Sequence, residues 1–242
     1  MDVKPSASAC TPAGAGIKCT KLYITDASAL EDTALYERVS SFIPYRLMSG
    51  VYKYKQNADR RRALAVRALL IYMLKEEGIN AGQLSFTYAE YGKPVFSGDE
   101  KLYFSFSHSG TWALCALSDM PVGCDVEKTV RGNMLIAQKA FCEEETEALK
   151  TCEDFDTEFC RIWTARESYM KCTGLGFLCP RDSFSAVNKE SVRQKDDDCR
   201  YELYTYENIE NYICSLCVKN DKSFRPDIKL TTLSIKEICS GI

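Results

Sequence analysis

The sequence predicts an α+β fold organised in two comparable halves, and three observations bear on this prediction. The 242 residues suffice for one large domain or two small ones. Hydrophobic patterning indicates a helix and then strands, followed by helices and then strands again. The apolar stretch that begins at Trp112 also resembles the one that begins at Tyr212. Because apolar strands can resemble each other by chance, this similarity alone leaves duplication open.

The chain is expected to have a flexible lead segment at 1–18, an N-terminal half at 19–119 and a C-terminal half at 120–242. The lead segment is rich in Ser, Ala, Pro and Gly and has no apolar period. A long helix is predicted from Asp59 to about Lys75, with arginines at its start and Gly78 as its stop signal. Strands are predicted at 84–88, 101–106 and 111–117, with a turn at 91–94.

The C-terminal half is predicted to contain a second group of helices and strands. A strand at 122–126 is followed by helices at about 133–140, 143–151 and 157–172. Further extended segments are expected at 183–187, 202–206, 212–218 and 228–234. This order repeats the helix-then-strand order of the first half.

Composition excludes several classes of protein. A net charge of −3 and a pI near 5.5 argue against a protein that coats nucleic acid, which needs surplus Lys and Arg. The thirteen cysteines cannot all pair within one chain, and no secretory signal precedes them, so we expect reduced thiols and a cytoplasmic protein. The one C-x-x-C pair lacks partners for a zinc site, which favours buried, inert thiols. The longest apolar run is too short for a bilayer, which requires roughly 20 residues, so no membrane segment is expected.

The strand at 122–126 carries the first candidate site. Alternation along a strand places Gly123, Asp125 and Glu127 on one face and the apolar residues on the other. Two neighbouring carboxylates repel each other unless a cation or a shared proton intervenes, and hard oxygen ligands suit Mg²⁺. An ordinary solvent-exposed strand face is the alternative interpretation.

The helix predicted at 157–172 carries the second candidate site. Trp163, Glu167 and Lys171 are spaced four residues apart and therefore share one face. A simple Glu167–Lys171 ion pair on a solvated helix would explain this spacing. Alternatively, Glu167 completes the metal site while Lys171 and Arg166 contact phosphate oxygens.

The segment 104–110 is the third candidate site, because hydroxyl groups there flank the only histidine, His108. Such a loop can donate hydrogen bonds to an anion. Ser107 and Ser109 could instead cap local backbone. A Ser–His hydrolase is a further alternative, but the chain has no G-x-S-x-G motif.

Taken in order, the motifs at 106–109, 122–127 and 163–171 resemble those of 4′-phosphopantetheinyl transferases of the surfactin-synthetase type. The resemblance extends to 91–94 and 181–185. It implies an α+β fold with a pseudo-twofold duplication of two similar α/β halves, and a cleft for coenzyme A between these halves. It also implies transfer of the phosphopantetheine arm to a serine of an apo acyl or peptidyl carrier protein, with release of adenosine 3′,5′-bisphosphate. Such carriers serve fatty acid, polyketide or nonribosomal peptide biosynthesis.

The resemblance also implies roles for individual residues. The Mg²⁺ ligands would be Asp125, Glu127 and Glu167. The catalytic residues would be Glu127, Glu167 and Lys171, with either glutamate as the base for the serine proton. The coenzyme A contacts would be Arg61, Lys93, Ser107, His108 and Lys171, with His108 near the 3′-phosphate. Two positions depart from the family pattern, since Arg166 replaces a common lysine and Leu175 stands where relatives often have one.

The expected partners follow from the same resemblance. We expect a monomer, because one chain supplies both sides of the cleft, and an acidic carrier helix as the docking partner. The segment 134–141 is a candidate docking surface, although core packing would equally explain Leu135 and Ile136. The alternatives are a non-catalytic module that binds coenzyme A or a carrier protein, and an unrelated Mg²⁺-dependent phosphohydrolase.

Overall fold

The computed structural model describes residues 19–48, 50–97, 101–195, 199–220 and 225–242. The predicted lead segment at 1–18 lies outside these ranges. The described residues form six α-helices and eleven strands, which confirms the predicted α+β class. None of these helices is both long enough and apolar enough to cross a membrane.

The first sheet has the strand order β11–β1–β5–β4. Its strands are β1 (Lys21–Asp26), β4 (Tyr103–Ser109), β5 (Trp112–Ser118) and β11 (Leu230–Thr232). Strand β5 pairs antiparallel with both β1 and β4, whereas β11 runs parallel to β1. The alternating Phe and Ser residues of β4 direct the aromatic rings to one face and the hydroxyl groups to the other.

Helix α2 (Asn57–Glu76) packs on this sheet and supplies much of the first core. It matches the long helix predicted from Asp59, and Gly78 follows it in the left-handed conformation at φ 70°. Helices α1 (Thr33–Phe42) and α6 (Ile235–Gly241) pack nearby. A hairpin of β2 (Phe86–Tyr88) and β3 (Pro94–Phe96) adds rings to a cluster that includes Phe104 and Phe106.

The second sheet has the antiparallel order β6–β10–β9. Its strands are β6 (Val122–Lys128), β9 (Tyr201–Ile209) and β10 (Tyr212–Lys219). Three helices follow β6 in the sequence: α3 (Met134–Ala140), α4 (Glu143–Thr151) and α5 (Phe155–Thr173). After them comes a short hairpin of β7 (Phe184–Ser185) and β8 (Arg193–Gln194). The three predicted helices are therefore confirmed, with small differences at their ends.

Helix α5 lies directly against β6 because residue 123 is glycine. A Cβ atom at Gly123 would lie 2.0 Å from the carbonyl oxygen of Ser168 and 2.3 Å from the backbone nitrogen of Cys172. Any side chain here would push α5 away from the strand. The glycine thus brings Glu167 on α5 and Asp125 on β6 to the same cleft.

The two sheets have the same connectivity. The arrangement β1–β5–β4 in the first sheet corresponds to β6–β10–β9 in the second. In each case a long helix, α2 or α5, precedes a short hairpin and then two antiparallel strands. The similar sequences at Trp112 and Tyr212 open the central strands β5 and β10. This repeated topology fits the predicted duplication.

The division at residue 120 is not a clean boundary in space. Strand β11 and helix α6 belong by sequence to the C-terminal half, yet β11 pairs with β1 and α6 packs in the first core. Residues from 230 onward therefore complete the first sheet and its core rather than the second.

Candidate active site

A cleft of about 990 Å³ lies where β4 of the first half faces β6 and α5 of the second. Of the residues predicted to act in the site, all but one line this cleft. They are Lys93, Ser107, His108, Asp125, Glu127, Glu167 and Lys171.

Two serines of β4 hold the two carboxylates of β6. The Ser107 hydroxyl donates to Oδ1 of Asp125 at 2.6 Å, and the Ser109 hydroxyl donates to Oε2 of Glu127 at 2.7 Å. Asp125 is 3% exposed, and its other oxygen, Oδ2, is buried without a hydrogen-bond partner in the described residues. A buried carboxylate oxygen without a donor is costly and indicates that a further cationic or donor group belongs there.

Lys171 is the cation nearest to these carboxylates. Its Nζ atom lies 2.6 Å from Oδ1 of Asp125 and 3.2 Å from the Ser107 hydroxyl. Burial lowers the pKa of Lys171, but the charge and hydrogen bond of Asp125 together with the charge of Glu167 and the neighbouring Cys124 raise it by more, so the net pKa is raised and the ammonium persists. Lys171 is therefore paired with Asp125, and the simple prediction of an ion pair with Glu167 is wrong.

The two glutamates experience an excess of negative charge. Burial raises the pKa of Glu127, an effect that the Ser109 hydrogen bond opposes and the charge of Asp125 reinforces. Burial and then the charge of Asp125 raise the pKa of Glu167. Both groups thus resist ionisation in this cleft, and a bound cation would relieve the repulsion.

The donor set suits a divalent cation, although the side chains do not form a closed ligand cluster. Three carboxylates around a partly buried cleft are hard oxygen donors of the kind that Mg²⁺ binds. The buried Oδ2 atom of Asp125 accepts no hydrogen bond from the described residues, so it can bind such a cation. Among the residues described, however, no three acidic, Cys or His side chains approach one another closely enough to hold an ion.

The other side of the cleft is basic. Lys93 donates from Nζ to the carbonyl oxygen of Val122 at 3.0 Å, and burial lowers its pKa. Burial, followed by the charge of Arg62, lowers the pKa of His108. The imidazole is thus predominantly neutral at neutral pH until an anion approaches it.

Arg61 is the predicted site residue that does not line the cleft. Its guanidinium pairs with Glu31 at 2.9 Å. The next residue, Arg62, donates to the carbonyl oxygen of Gly110 at 2.8 Å and leaves its buried Nε atom without a described partner. Successive helical residues point about 100° apart, so Arg62 rather than Arg61 faces the end of β4. The geometry does not support the role predicted for Arg61, and Arg62 is the better candidate.

Two basic residues of the cleft, Lys53 and Arg67, were not predicted from the sequence. Arg67 donates to the carbonyl oxygens of Leu47 and Ala63, both at 2.7 Å, and lies 5.9 Å from the ring centre of Phe106. An arginine within the mostly buried part of α2 was a usable signal, because a buried charge needs partners. Lys53 had no such signal, since it follows an irregular segment.

Arg166 is buried beside the cleft and does not line it. It forms an ion pair with the fully buried Glu145 at 2.7 Å and donates to the carbonyl oxygen of Arg181 at 2.9 Å. Its guanidinium also lies 4.1 Å from the ring centre of Phe184. These contacts do not favour the alternative in which Arg166 contacts phosphate oxygens, because two of its donors already bind Glu145 and Arg181.

A second cavity of about 440 Å³ adjoins the cleft at Trp163, Glu167 and Met170. Its rim includes Lys139, Leu178 and Arg181. Leu135 and Ile136, on α3, are 69% and 46% exposed. Leu178, which follows α5 in the sequence, is 66% exposed. Core packing of Leu135 and Ile136, one of the two predicted alternatives, is thus wrong.

Comparison with known proteins points to one family. The family model of the 4′-phosphopantetheinyl transferase superfamily matches residues 121–217, which span β6, α5 and most of β10. A 4′-phosphopantetheinyl transferase of Bacillus subtilis is 33% identical over 187 residues, covering 71% of this chain and 84% of the relative. The transferase Sfp of Bacillus subtilis strain 168 is 29% identical, covering 84% of this chain and 92% of the relative. The transferase gsp of Aneurinibacillus migulanus is 28% identical, covering 86% of this chain and 89% of the relative. This chain therefore belongs to the 4′-phosphopantetheinyl transferase superfamily.

Proposed function

We propose that the protein transfers the 4′-phosphopantetheine arm of coenzyme A to a serine hydroxyl of an apo carrier protein. The serine oxygen forms a bond to the phosphorus that carries pantetheine, and the bond from that phosphorus to the bridging oxygen of the diphosphate breaks. Adenosine 3′,5′-bisphosphate leaves, and the serine proton passes to a base. The observation that carries this proposal is the single cleft in which three carboxylates and Lys171 face the basic residues Lys93 and His108.

The basic side of the cleft suits the phosphate groups of coenzyme A. Lys93 and His108, which line the cleft, are the proposed phosphate contacts. Arg62, whose charge acts on His108, is proposed as a further contact to the 3′-phosphate. Ser107 can contribute only part of its hydrogen-bonding capacity, since its hydroxyl already donates to Asp125. We therefore propose two roles for Ser107: it orients Asp125, and it contacts a phosphate group of coenzyme A.

Asp125, Glu127 and Glu167 would hold the Mg²⁺ ion, with Asp125 Oδ2 as the buried oxygen that most needs a cation. When bound, such an ion polarises a diphosphate and stabilises the charge that develops on the leaving group. Lys171 adds a positive charge at the same place, since it already contacts Asp125. The protein's own contribution is thus mainly positioning and charge neutralisation.

Glu127 and Glu167 are the two candidates for the base. Burial raises the pKa of each, which brings the carboxylate closer to the proton affinity that a general base needs near neutral pH. Glu127 is already hydrogen-bonded to Ser109, whereas Glu167 projects from α5 between the cleft and the adjoining cavity. Either carboxylate can accept the serine proton.

The exposed apolar residues beside Glu167 are the proposed docking surface for the carrier. Leu135 and Ile136 are exposed on α3, the helix that also carries Lys139, and the exposed Leu178 lines the adjoining cavity together with Lys139 and Arg181. An acidic helix with an apolar face would complement this combination. We further propose a cytoplasmic monomer, because one chain provides both sides of the cleft.

Transfer can be tested directly with the purified protein, coenzyme A, Mg²⁺ and a panel of apo carrier proteins. The expected result is a phosphopantetheine mass increase on the carrier serine together with release of adenosine 3′,5′-bisphosphate. Free phosphopantetheine without a modified carrier would instead identify a phosphohydrolase. Binding of coenzyme A without any product would identify the non-catalytic module.

Substitution of the acidic residues provides the matching control. Asp125→Ala and Glu167→Ala should each abolish transfer while thermal unfolding remains cooperative, because they remove charge from the cleft rather than apolar packing. Full activity of either variant would contradict the assignment of that residue.

A further inference from the structure

The edge strands β4 and β6 lie against each other where the two halves meet, yet they belong to separate sheets. Instead of a ladder of backbone hydrogen bonds, a row of serine side chains spans the junction. Ser105, Ser107 and Ser109 alternate along β4 and therefore point to the same face. We call these three residues the serine row.

Each member of the serine row contacts the same strand of the other half. The Ser105 hydroxyl accepts the backbone N–H of Cys124 at 3.0 Å. The Ser107 hydroxyl donates to Asp125, as described above. The Ser109 hydroxyl accepts the backbone N–H of Lys128 at 3.1 Å and donates to Glu127.

The two bonds of Ser109 have different consequences. A hydroxyl has one proton to donate, and here that proton is directed to Oε2 of Glu127. The bond from the Lys128 backbone fixes the serine oxygen relative to the strand that carries Glu127. Together they fix the direction of one carboxylate oxygen and leave the other for the cleft.

We propose that Ser109 is a positioning residue that holds the Glu127 carboxylate in the orientation required for metal binding and transfer. This inference rests on the proposed function and assigns a task to a residue outside the predicted catalytic set. Ser107 has a comparable arrangement, but Lys171 also contacts its hydroxyl, so its substitution would change two interactions. Ser109 therefore offers the cleaner test.

The test uses Ser109→Ala and Ser109→Thr, with Ser215→Ala as the matched control. Ser215 is fully buried on β10 opposite Asp125, and its hydroxyl contacts that of Thr164 at 2.7 Å instead of a carboxylate. Both alanine variants thus remove one serine hydroxyl close to β6. Only Ser109→Ala removes a hydrogen bond to a carboxylate of the cleft.

Ser109→Ala should lower kcat by about 10- to 100-fold, the usual effect of losing a group that orients a metal ligand, while KM for coenzyme A is retained. Ser109→Thr, which keeps a hydroxyl, should restore most of kcat, and Ser215→Ala should lower the thermal midpoint but keep kcat. Unchanged kcat in Ser109→Ala would overturn the proposal. Equal losses of kcat in Ser109→Ala and Ser109→Thr would overturn it as well.

Calorimetric titration with Mg²⁺ separates this inference from the proposed function. Ser109→Ala should weaken Mg²⁺ binding by about 10- to 100-fold relative to the unsubstituted protein and to Ser215→Ala. If the unsubstituted protein modifies no carrier, the proposed transfer fails, but this titration still tests the orientation of Glu127. Equal Mg²⁺ affinity in all three proteins would contradict the inference on Ser109.

Discussion

At the scale of single residues, Arg61 and Arg62 have different surroundings although they are neighbours in sequence. Arg61 pairs with Glu31 at the surface, whereas Arg62 lies beside His108 and the end of β4. The pattern Arg60-Arg61-Arg62 contains no information about which guanidinium faces the cleft. Only the rotation of α2 about its axis decides between them.

Arg62→Ala should raise KM for coenzyme A by about tenfold or more, because a hydrogen bond to a charged group contributes about 1.5–3 kcal/mol. Arg61→Ala serves as the control and should leave KM close to that of the unsubstituted protein. Steady-state kinetics with coenzyme A and with 3′-dephospho-coenzyme A provide the measurement. A larger effect of Arg61→Ala than of Arg62→Ala would restore the original assignment.

His108 should make coenzyme A binding depend on pH. Burial and the charge of Arg62 lower its pKa in the free protein, and a neighbouring 3′-phosphate would raise it again. The complex with coenzyme A then binds more protons than the free protein. The affinity for coenzyme A should therefore rise as the pH falls from the pKa of His108 in the complex to its pKa in the free protein. Each unit between them corresponds to about a tenfold change in affinity.

Isothermal titration calorimetry in buffers of different ionisation enthalpy measures this proton uptake. His108→Asn should lose the proton uptake that arises from the imidazole. The proton uptake that remains arises from the 3′-phosphate of coenzyme A. Equal proton uptake in both proteins would show that His108 does not contact the 3′-phosphate.

At the scale of single elements, α5 holds the cleft and the second core together through adjacent residues. Glu167 faces the cleft, whereas Arg166 is buried against Glu145, Arg181 and Phe184. The Glu145 carboxylate also accepts the backbone N–H groups of Cys142 and Ala186. This buried pair is thus fully hydrogen-bonded, which is the condition under which such a pair is tolerated.

Arg166→Met should lower the free energy of unfolding by about 3–5 kcal/mol, because it leaves the buried Glu145 charge without its partner. Arg166→Lys should cost less, about 1–3 kcal/mol, since an ammonium keeps the charge but loses one hydrogen bond and the ring contact. Urea unfolding measures both values. Arg181→Lys, at an exposed guanidinium, is the control and should change the free energy of unfolding by less than about 0.5 kcal/mol.

The helices could be predicted from sequence because their signals are local. Helices α3 and α5 have capping side chains, Asn133 and Asp154, and α5 ends at Gly174 with φ 78°. Strand β1 and helices α1 and α6 were not predicted. Strand β1 contains Tyr23, Ile24 and Thr25, which favour strands, so its local signal was usable and was missed. Its pairing with β5 and β11, which are distant in sequence, had no such local signal.

The same distinction applies to the site. The carboxylates could be located because strand and helix periodicity place them on defined faces. The serine row could not, because the predicted strand ended at 106 and the following serines were interpreted as a loop, whereas β4 continues to Ser109. The partner of each group could not, because Lys171–Asp125 and Ser109–Glu127 join elements from different parts of the chain. The roles themselves came from the family resemblance rather than from periodicity.

At the scale of the whole molecule, the two halves are interlocked. Helix α6 places Ile235, Ile238 and Cys239 in the core of the first half, and Lys75 on α2 donates to the carbonyl oxygen of Ile242 at 2.6 Å. Residues 19–119 therefore lack part of their own sheet and core. We expect this fragment not to fold alone.

Ile238→Ala should lower the free energy of unfolding by about 2–5 kcal/mol, because it removes a fully buried side chain from the shared core. Ile136→Ala is the matched control at an exposed position and should change it by less than about 0.5 kcal/mol. Circular dichroism and the fluorescence of the two tryptophans, Trp112 and Trp163, should report one common transition in both variants. Separate transitions would show that the halves unfold independently.

The return of β11 to β1 also has a consequence for protein synthesis. The first sheet cannot be completed until residue 232 has left the ribosome, although most of its strands are made before residue 119. At typical elongation rates the intervening stretch of roughly 110 residues takes about 5 to 20 seconds to translate. During that interval the nascent chain exposes the open edge of β1, which makes this protein a candidate client of ribosome-associated chaperones.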